Sequence, residues 1–352
     1  MKKNRFIVIG ILMVLLISIF SGCSSTNVKL GKEVSASNDT KEGVEEVKIG
    51  FVDTSGSAIL LGSEGIARDK GYFDEEFEKI GLKVNLVPMT GAGPAINEAL
   101  ASGSLDIGIL GDVPAVNGKA NGIDTTVIAF NGLNNTVVLL ANPESNISEI
   151  KDLKGKKIAT QKGAFMHRLL QYILESEELS IDDIEFINMP AQDALAALES
   201  GSVDVAVTQP SDVTYKLAQE NGYDEILFSR DYDGWASGGM TEIRTDLLKS
   251  NPEVAIAFLK AIIRANEFIE NNPNALDEQW VNAGYLKESY EYSYPNKDNY
   301  STIEATTGVV ENAKNTLKFL QENDLTDGDF DIDKWYDLSY YEKAKEELEE
   351  GN

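Results

Sequence analysis

Reactive side chains are scarce in this chain. It has one cysteine, Cys23, and one histidine, His167, among 352 residues. A single cysteine leaves no partner for an internal disulfide. With so little Cys and His there is no zinc cluster to assemble and no Ser-His-Asp set to support. No glycine-rich turn runs into Gly-Lys-Ser/Thr, the ending of a phosphate loop. No cofactor, no metal and no enzymatic activity are therefore expected. Positive charge is also short, with 31 Lys and Arg against 58 Asp and Glu and a net charge of −27. That balance repels phosphates and argues against nucleic acid as a partner, and against charge-driven docking on anionic lipid. Beyond Phe20 no apolar run is long enough to span a bilayer.

The chain begins with a targeting pattern. Lys2, Lys3 and Arg5 precede the apolar run Phe6 to Phe20, which is too short for a comfortable spanning helix, and then Ser21, Gly22 and Cys23. This resembles a bacterial lipoprotein signal, in which the cysteine is acylated and becomes the new N-terminus. Phe20 stands where that pattern more often has Leu. Residues 1–23 are thus expected to be a signal peptide and Cys23 a lipid attachment point. Residues 24–46 are polar and read as a flexible tether.

Strand and helix patterns alternate through the body, which predicts an α/β fold with a mostly parallel sheet. The most informative stretch is LVPMTGAGPAINEALASGSLDIGILGDVPA, Leu86 to Ala115. An apolar strand enters Thr90-Gly91-Ala92-Gly93, Pro94 suits the first turn of a helix, and Gly103 ends that helix. A second strand then runs into Gly111-Asp112-Val113-Pro114 and another helix. Gln161 to Phe165 forms a third junction of this kind. At such junctions backbone N–H groups and the helix dipole favour an anion. AQDALAALESGSVDVAV, beginning at Ala191, echoes GPAINEALASGSLDIGI, beginning at Gly93. Each is a helix, then Ser-Gly-Ser, then a strand opening on an aspartate, Asp106 or Asp204, which reads as a turn or cap residue. The polar stretch from Asn142 to Lys157 suggests a domain crossing. Residues 47–141 are expected to begin lobe 1, 142–231 to form lobe 2, and 232–352 to return to lobe 1 and end in helices. Tyr285 to Tyr300 reads as irregular, Ile303 to Leu320 as a long helix, and Glu346 to Asn352 as a solvated tail.

GAGPAINEALASGSLDIGILGDVPA, DLKGKKIATQKGAFMHRLLQYIL, PAQDALAALESGSVDVAVTQP and NPEVAIAFLKAIIRANEFI together resemble one protein group. They are similar to the solute-binding proteins of ABC importers that capture aliphatic sulfonates, taurine, nitrate and thiamine-precursor pyrimidines. The resemblance spans roughly Val47 to Phe268. It implies a two-lobed periplasmic-binding-protein fold (type II-like), with a hinge and an interlobe ligand cleft. It also implies a small-molecule solute and, as partners, a membrane permease and its ATPase. With the lipid anchor, the protein is expected as a monomer on the outer face of the bacterial cytoplasmic membrane. An aliphatic sulfonate or taurine is the leading ligand class. Nitrate or a pyrimidine on the same scaffold, and an exported enzyme or sensor using this fold, remain as alternatives.

The candidate contacts fall in four segments. Ser55 and Ser57 either offer hydroxyls to a ligand or cap the next helix. Gly91, Ala92 and Gly93 let backbone N–H groups approach a ligand. Beside Gly111, Asp112 is a good N-cap, but its charge opposes an anion placed against it, which keeps an amine-bearing zwitterion open. In the second half Gly163, Ala164 and Phe165 open a helix, and His167 one turn on is a ligand contact or a structural residue. Thr208 and Gln209 end a strand, with Gln209 the best side-chain amide. Trp235 is a cleft wall or a packing residue.

Overall fold

In the chain segment Val138–Ala141, Val138 and Leu140 pack on one helical layer while Leu139 and Ala141 pack on another. Side chains on a strand alternate faces, so a strand with every residue apolar belongs inside a sheet covered on both sides. Two such sheets make up the computed structural model, which describes residues 45–53, 57–295 and 307–351. The signal peptide with Cys23, nearly all of the tether, and Ser55 lie outside the described residues.

The first sheet takes its strands from both ends of the body. They are β1 (Glu46–Val52), β2 (Lys83–Met89), β3 (Ile107–Gly111), β4 (Thr125–Asn135) and β10 (Ser237–Arg244), in the order β2-β1-β3-β10-β4. The second contains β5 (Val138–Ala141), β6 (Lys157–Thr160), β7 (Glu185–Asn188), β8 (Val205–Thr208) and β9 (Asp224–Phe228), in the order β7-β6-β8-β5-β9. Four of the five strands in each sheet run the same way, so the sheets are mostly parallel as expected, with one strand reversed in each. β10 runs antiparallel to β3 and β4, and β5 runs antiparallel to β8 and β9. These two strands are the ones through which the chain enters each lobe from the other.

That entry corrects the expected boundary. The chain leaves the first sheet after Asn135, so Val138–Ala141 belongs to the second lobe and not to the end of the first. The crossing sits in an apolar stretch because β5 becomes a central strand, buried between β8 and β9; the polar run after Ala141 is a surface loop that follows it.

Helices cover both faces of each sheet. One face of the first sheet carries α1 (Gly62–Asp69), α2 (Tyr72–Lys79), α8 (Thr245–Ser250), α9 (Glu253–Asn271), α10 (Ala275–Asn282) and α13 (Ser339–Glu350). Phe73 of α2 stacks on Phe258 of α9 with ring centroids 5.4 Å apart. The other face carries α3 (Ala92–Ala101), α4 (Asp112–Ala120) and α12 (Thr307–Glu322). In the second lobe α5 (Phe165–Glu175) covers one face and α6 (Ala191–Glu199) the other. The short α7 (Asp212–Tyr215) follows β8, and α11 (Lys287–Ser293) follows α10.

One C-terminal expectation changes: Tyr285 to Tyr300 is not irregular throughout, since α11 forms within it. The acidic end is solvated as expected, with Glu346, Glu349 and Glu350 exposed, but it is helical as part of α13, which buries Ala344 and pairs Glu347 with Lys260 of α9 at 2.6 Å. An apolar stripe through Ala344 and Leu348, four residues apart, is enough to hold it against α9.

Candidate functional site

The strands β1, β2, β3, β6 and β8 all end toward turns that lead into helices, and in α/β sheets ligands sit beyond those carboxyl ends. Two residues there are held in a strained backbone conformation. Ala58, after β1, has φ +55° and Ala92, after β2, has φ +54°, both in the left-handed region that alanine avoids. Gly163, after β6, has φ +76°. Strained residues of this kind cluster at ligand clamps and switch regions.

Gly91 is the N-cap of α3 and is exposed, and Ala92 and Gly93 form its first turn. Gly93 also has a packing reason to lack a side chain, because a Cβ there would collide with Pro114 of α4. Gly111 caps α4 in an extended conformation. In the second lobe Ala164 caps α5 and Phe165 opens it. Phe165 packs against the core of lobe 2 and against the α4–α12 side of lobe 1, so it stands between the lobes. The first N–H groups of α3 and α5 have no intrahelical acceptor and carry the positive end of each dipole.

Asp112 is completely buried, and its two oxygens are saturated. Oδ1 accepts from its neighbour's backbone, Val113 N, at 2.7 Å and from Ser237 Oγ at 2.5 Å. Oδ2 accepts from Arg168 Nη2 at 3.1 Å, Asn312 Nδ2 at 2.5 Å, Gly238 N at 3.4 Å and Thr316 Oγ1 at 3.4 Å. These donors come from α5 in lobe 2, from β10, and from α12. The charge that seemed to oppose an anion is therefore matched by the Arg168 guanidinium, and the carboxylate is out of a solute's reach. Arg168 is 1% exposed and its Nε has no partner.

His167 is also buried, with its ring 4.9 Å from Phe186 and 5.1 Å from Phe319. Its Nδ1 accepts the Gly163 N–H at 3.3 Å. Burial, with the nearby positive charge of Lys162, lowers its pKa to about 4. It therefore braces the α5 turn against α12 as a neutral ring. Thr208 is buried at the end of β8, with Oγ1 directed to the Gln209 carbonyl at 3.2 Å; Gln209 itself is exposed. Trp235 is half-buried, stacks on Tyr232 at 4.5 Å and leans on the lobe 2 core. Ser57 is exposed in the turn after β1.

Several polar residues at this edge escaped the reading of the sequence. Arg168 is one, and its signal was an arginine within the apolar helical run FMHRLLQYIL, since buried arginines are rare without a partner. Ser237, Asn312 and Thr316 carried no such mark. On the lobe 1 rim Glu64 accepts from Asn131 Nδ2 at 2.5 Å, and Asn131 Oδ1 accepts from Thr241 Oγ1 at 3.2 Å. Burial raises the Glu64 pKa, partly offset by a backbone hydrogen bond.

Two α/β lobes joined by crossing strands, with helix starts of both lobes meeting around one buried ion pair, define the fold of the periplasmic solute-binding proteins. The chain belongs to the NMT1/THI5-like family, whose model matches residues 65–276. It is 29% identical, over 100% of its length and 99% of the relative's, to a protein named as an aliphatic sulfonates-binding protein in Bacillus subtilis (strain 168). The periplasmic sulfonate-binding protein SsuA from Methylobacillus flagellatus KT superposes with a TM-score of 0.77 at 28% identity, covering 87% of this chain and 95% of that one. The desulfurization enzyme DSZB shares the fold alone, with a TM-score of 0.69 at 14% identity, covering 86% of this chain and 99% of that one. Among the described residues no helix is long and apolar enough to cross a membrane, and no group of three or more His, Cys, Asp or Glu is placed to hold a metal.

Proposed function

We propose that this chain is the extracytoplasmic solute-binding component of an ABC importer, held to the membrane through Cys23. Its solute is a small organic anion or zwitterion, with an aliphatic sulfonate or taurine the leading class, which it delivers to a permease driven by an ATPase. One observation carries the reading: the starts of α4 and α5 come from opposite lobes and are joined by an Asp112–Arg168 pair that cancels its own charge, with the start of α3 packed beside α4 through Gly93 and Pro114. The field left for a ligand is that of helix N-termini and free N–H groups, which suits a sulfonate or another oxyanion. The full-length similarity to a protein named for aliphatic sulfonates supports the same class. The single histidine is packed between two phenylalanines with a depressed pKa, which favours binding over acid–base catalysis.

Ligand binding to the native state alone adds stability, about 2.7 kcal/mol at roughly 100 times the dissociation constant. Thermal unfolding of solute-stripped protein is the test, with taurine, alkanesulfonates, nitrate, sulfate and aminopyrimidines as the panel. A rise with sulfonates alone supports the proposal. A rise with nitrate or pyrimidines alone keeps the receptor and replaces its ligand. No rise with any of them, from folded protein, overturns the ligand class and favours an enzyme or sensor on this fold.

A further inference from the structure

Just beyond Asn282 the chain bonds to both lobes within a few residues. α10 is fixed on lobe 1: Gln279 Oε1 accepts from Gly62 N at 2.8 Å, and Ala275, Leu276 and Trp280 enter the core around α9. Seven residues after Gln279, the chain is bonded to lobe 2. The Asp212 carboxylate, at the start of α7, accepts from Leu286 N at 3.3 Å and 3.2 Å through its two oxygens, and also from the Ser289 hydroxyl.

The helix that follows is shared between the lobes. Tyr290 is 1% exposed in the lobe 1 core. Two residues on, and so on the opposite side of a helix, Tyr292 packs on lobe 2. Its ring meets Phe228 at 5.3 Å and Tyr215 at 5.7 Å, edge to face, and its hydroxyl donates to Glu225 of β9. A hydrogen-bond relay runs the same way: Trp280 Nε1 donates to Ser289 Oγ at 3.1 Å, and Ser289 donates to Asp212. Between the two attachments Tyr285 rests on Trp280 with ring centroids 4.8 Å apart. Burial raises its pKa, with further contributions from Asp212 and then Asp53.

We propose that residues 283–293 form a strap that latches lobe 2 to lobe 1 and limits how far the cleft opens, with Asp212 and Tyr292 as its positioning residues. The proposal rests on the reading of the interlobe space as the ligand cleft. The two ends of the strap differ in kind. The lobe 1 end is a dry aromatic core, while the lobe 2 end is made of half-buried polar groups, Asp212 and Tyr292, with the exposed Glu225. Weakly buried, hydrogen-bonded attachments open first. The strap therefore stays with lobe 1 and lets go of lobe 2. α11 also lies beyond the residues that the family model matches.

The test is the interlobe distance in the full chain with Cys23→Ser, spin-labelled at Glu78→Cys on α2 and Glu199→Cys on α6. Pulsed EPR is recorded with no ligand added. The parent is expected to give one narrow distribution. Asp212→Ala and Asp212→Ala/Tyr292→Phe are expected to add a displaced population, as large as the first in the double variant. Asp212→Asn keeps an acceptor for Leu286 N and Ser289 and should restore the parental distribution. Tyr292→Phe alone keeps the ring packing, so it serves if the double variant does not fold. A distribution unchanged in folded Asp212→Ala and Tyr292→Phe overturns the strap. No ligand enters the measurement, so an unresponsive solute panel would leave this result to be judged separately.

Discussion

In lobe 1 Asp106 Oδ2 accepts the Lys48 N–H at 2.9 Å; in lobe 2 Asp204 Oδ2 accepts the Lys157 N–H at 2.8 Å. Before them Ser102 meets Ser104 at 3.0 Å and Ser200 meets Ser202 at 2.9 Å, around Gly103 at φ +73° and Gly201 at φ +71°. The two helix–turn–strand units are the same device, in which a glycine reverses the chain and an aspartate stitches the new strand to its parallel neighbour. Past the strands they diverge. β3 leads to Asp112, dry and saturated, facing an arginine of lobe 2. β8 leads to Asp212, half-buried, holding the start of α11. A local motif sets the edge of the sheet, and what stands opposite that edge decides how the next acid is used.

The largest effect should come from the dry side. Removing one partner of a buried ion pair costs about 3–5 kcal/mol because the other charge is left unpaired. Asp112→Ala is expected to lose that much in urea unfolding, and the double variant with Arg168→Met to lose less than Asp112→Ala alone. A loss no larger than that of Asp212→Ala would erase the distinction between the two acids.

Two buried groups should make the pH response of the interlobe contact and of the first sheet differ in sign. Unfolded His167 takes a proton near 6.5, while the folded ring resists to about 4. The unfolded state thus binds more protons between those values, and its contribution, roughly 3 kcal/mol, is lost as pH falls from 6.5 through 4. Glu242 on β10 behaves oppositely. Burial raises its pKa to about 7, against smaller lowering by a Thr125 hydrogen bond and by Lys119. The native state then holds the extra proton, and roughly 3 kcal/mol is lost as pH rises from 4.5 to 7. His167→Gln should flatten the acid limb and Glu242→Gln the neutral limb of a stability–pH curve, and neither should alter the other's limb.

A smaller loss is expected at the helix starts. Gly163→Ala places a Cβ in the left-handed region and should cost roughly 1–2 kcal/mol. Gly93→Ala meets Pro114 and should cost about 1–3 kcal/mol through overpacking. Thermal unfolding of the two variants compares the α5 turn of lobe 2 with the α3–α4 packing of lobe 1. The smallest effects belong to the shared motif. Asp106→Ala and Asp204→Ala each remove one hydrogen bond to a strand N–H and should each cost about 1 kcal/mol, with Asp106→Ala also losing an ion pair to Arg244 at 3.7 Å. A larger loss for Asp204→Ala than for Asp106→Ala would show that the two copies are alike only in outline.

Sequence by itself determined the alternating α/β body, the duplicated motif with its two aspartates, the glycine and proline punctuation of the helix starts, and the family to which they point. These follow from neighbours in the chain: strand alternation, helix caps and turns act over a few residues. The sequence also placed Gly91, Ala92, Gly93, Ala164 and Phe165 at helix starts, where the structure puts them. Only tertiary structure decided that β5 belongs to lobe 2, that Asp112 pairs with Arg168, that His167 is wedged between two rings, and that α11 joins both cores. Each of those depends on groups far apart in the chain, 56 residues for Asp112 and Arg168 and 77 for Asp212 and Ser289. A pairing over such a distance leaves no period and no local motif, because either partner alone reads as an ordinary cap or surface charge.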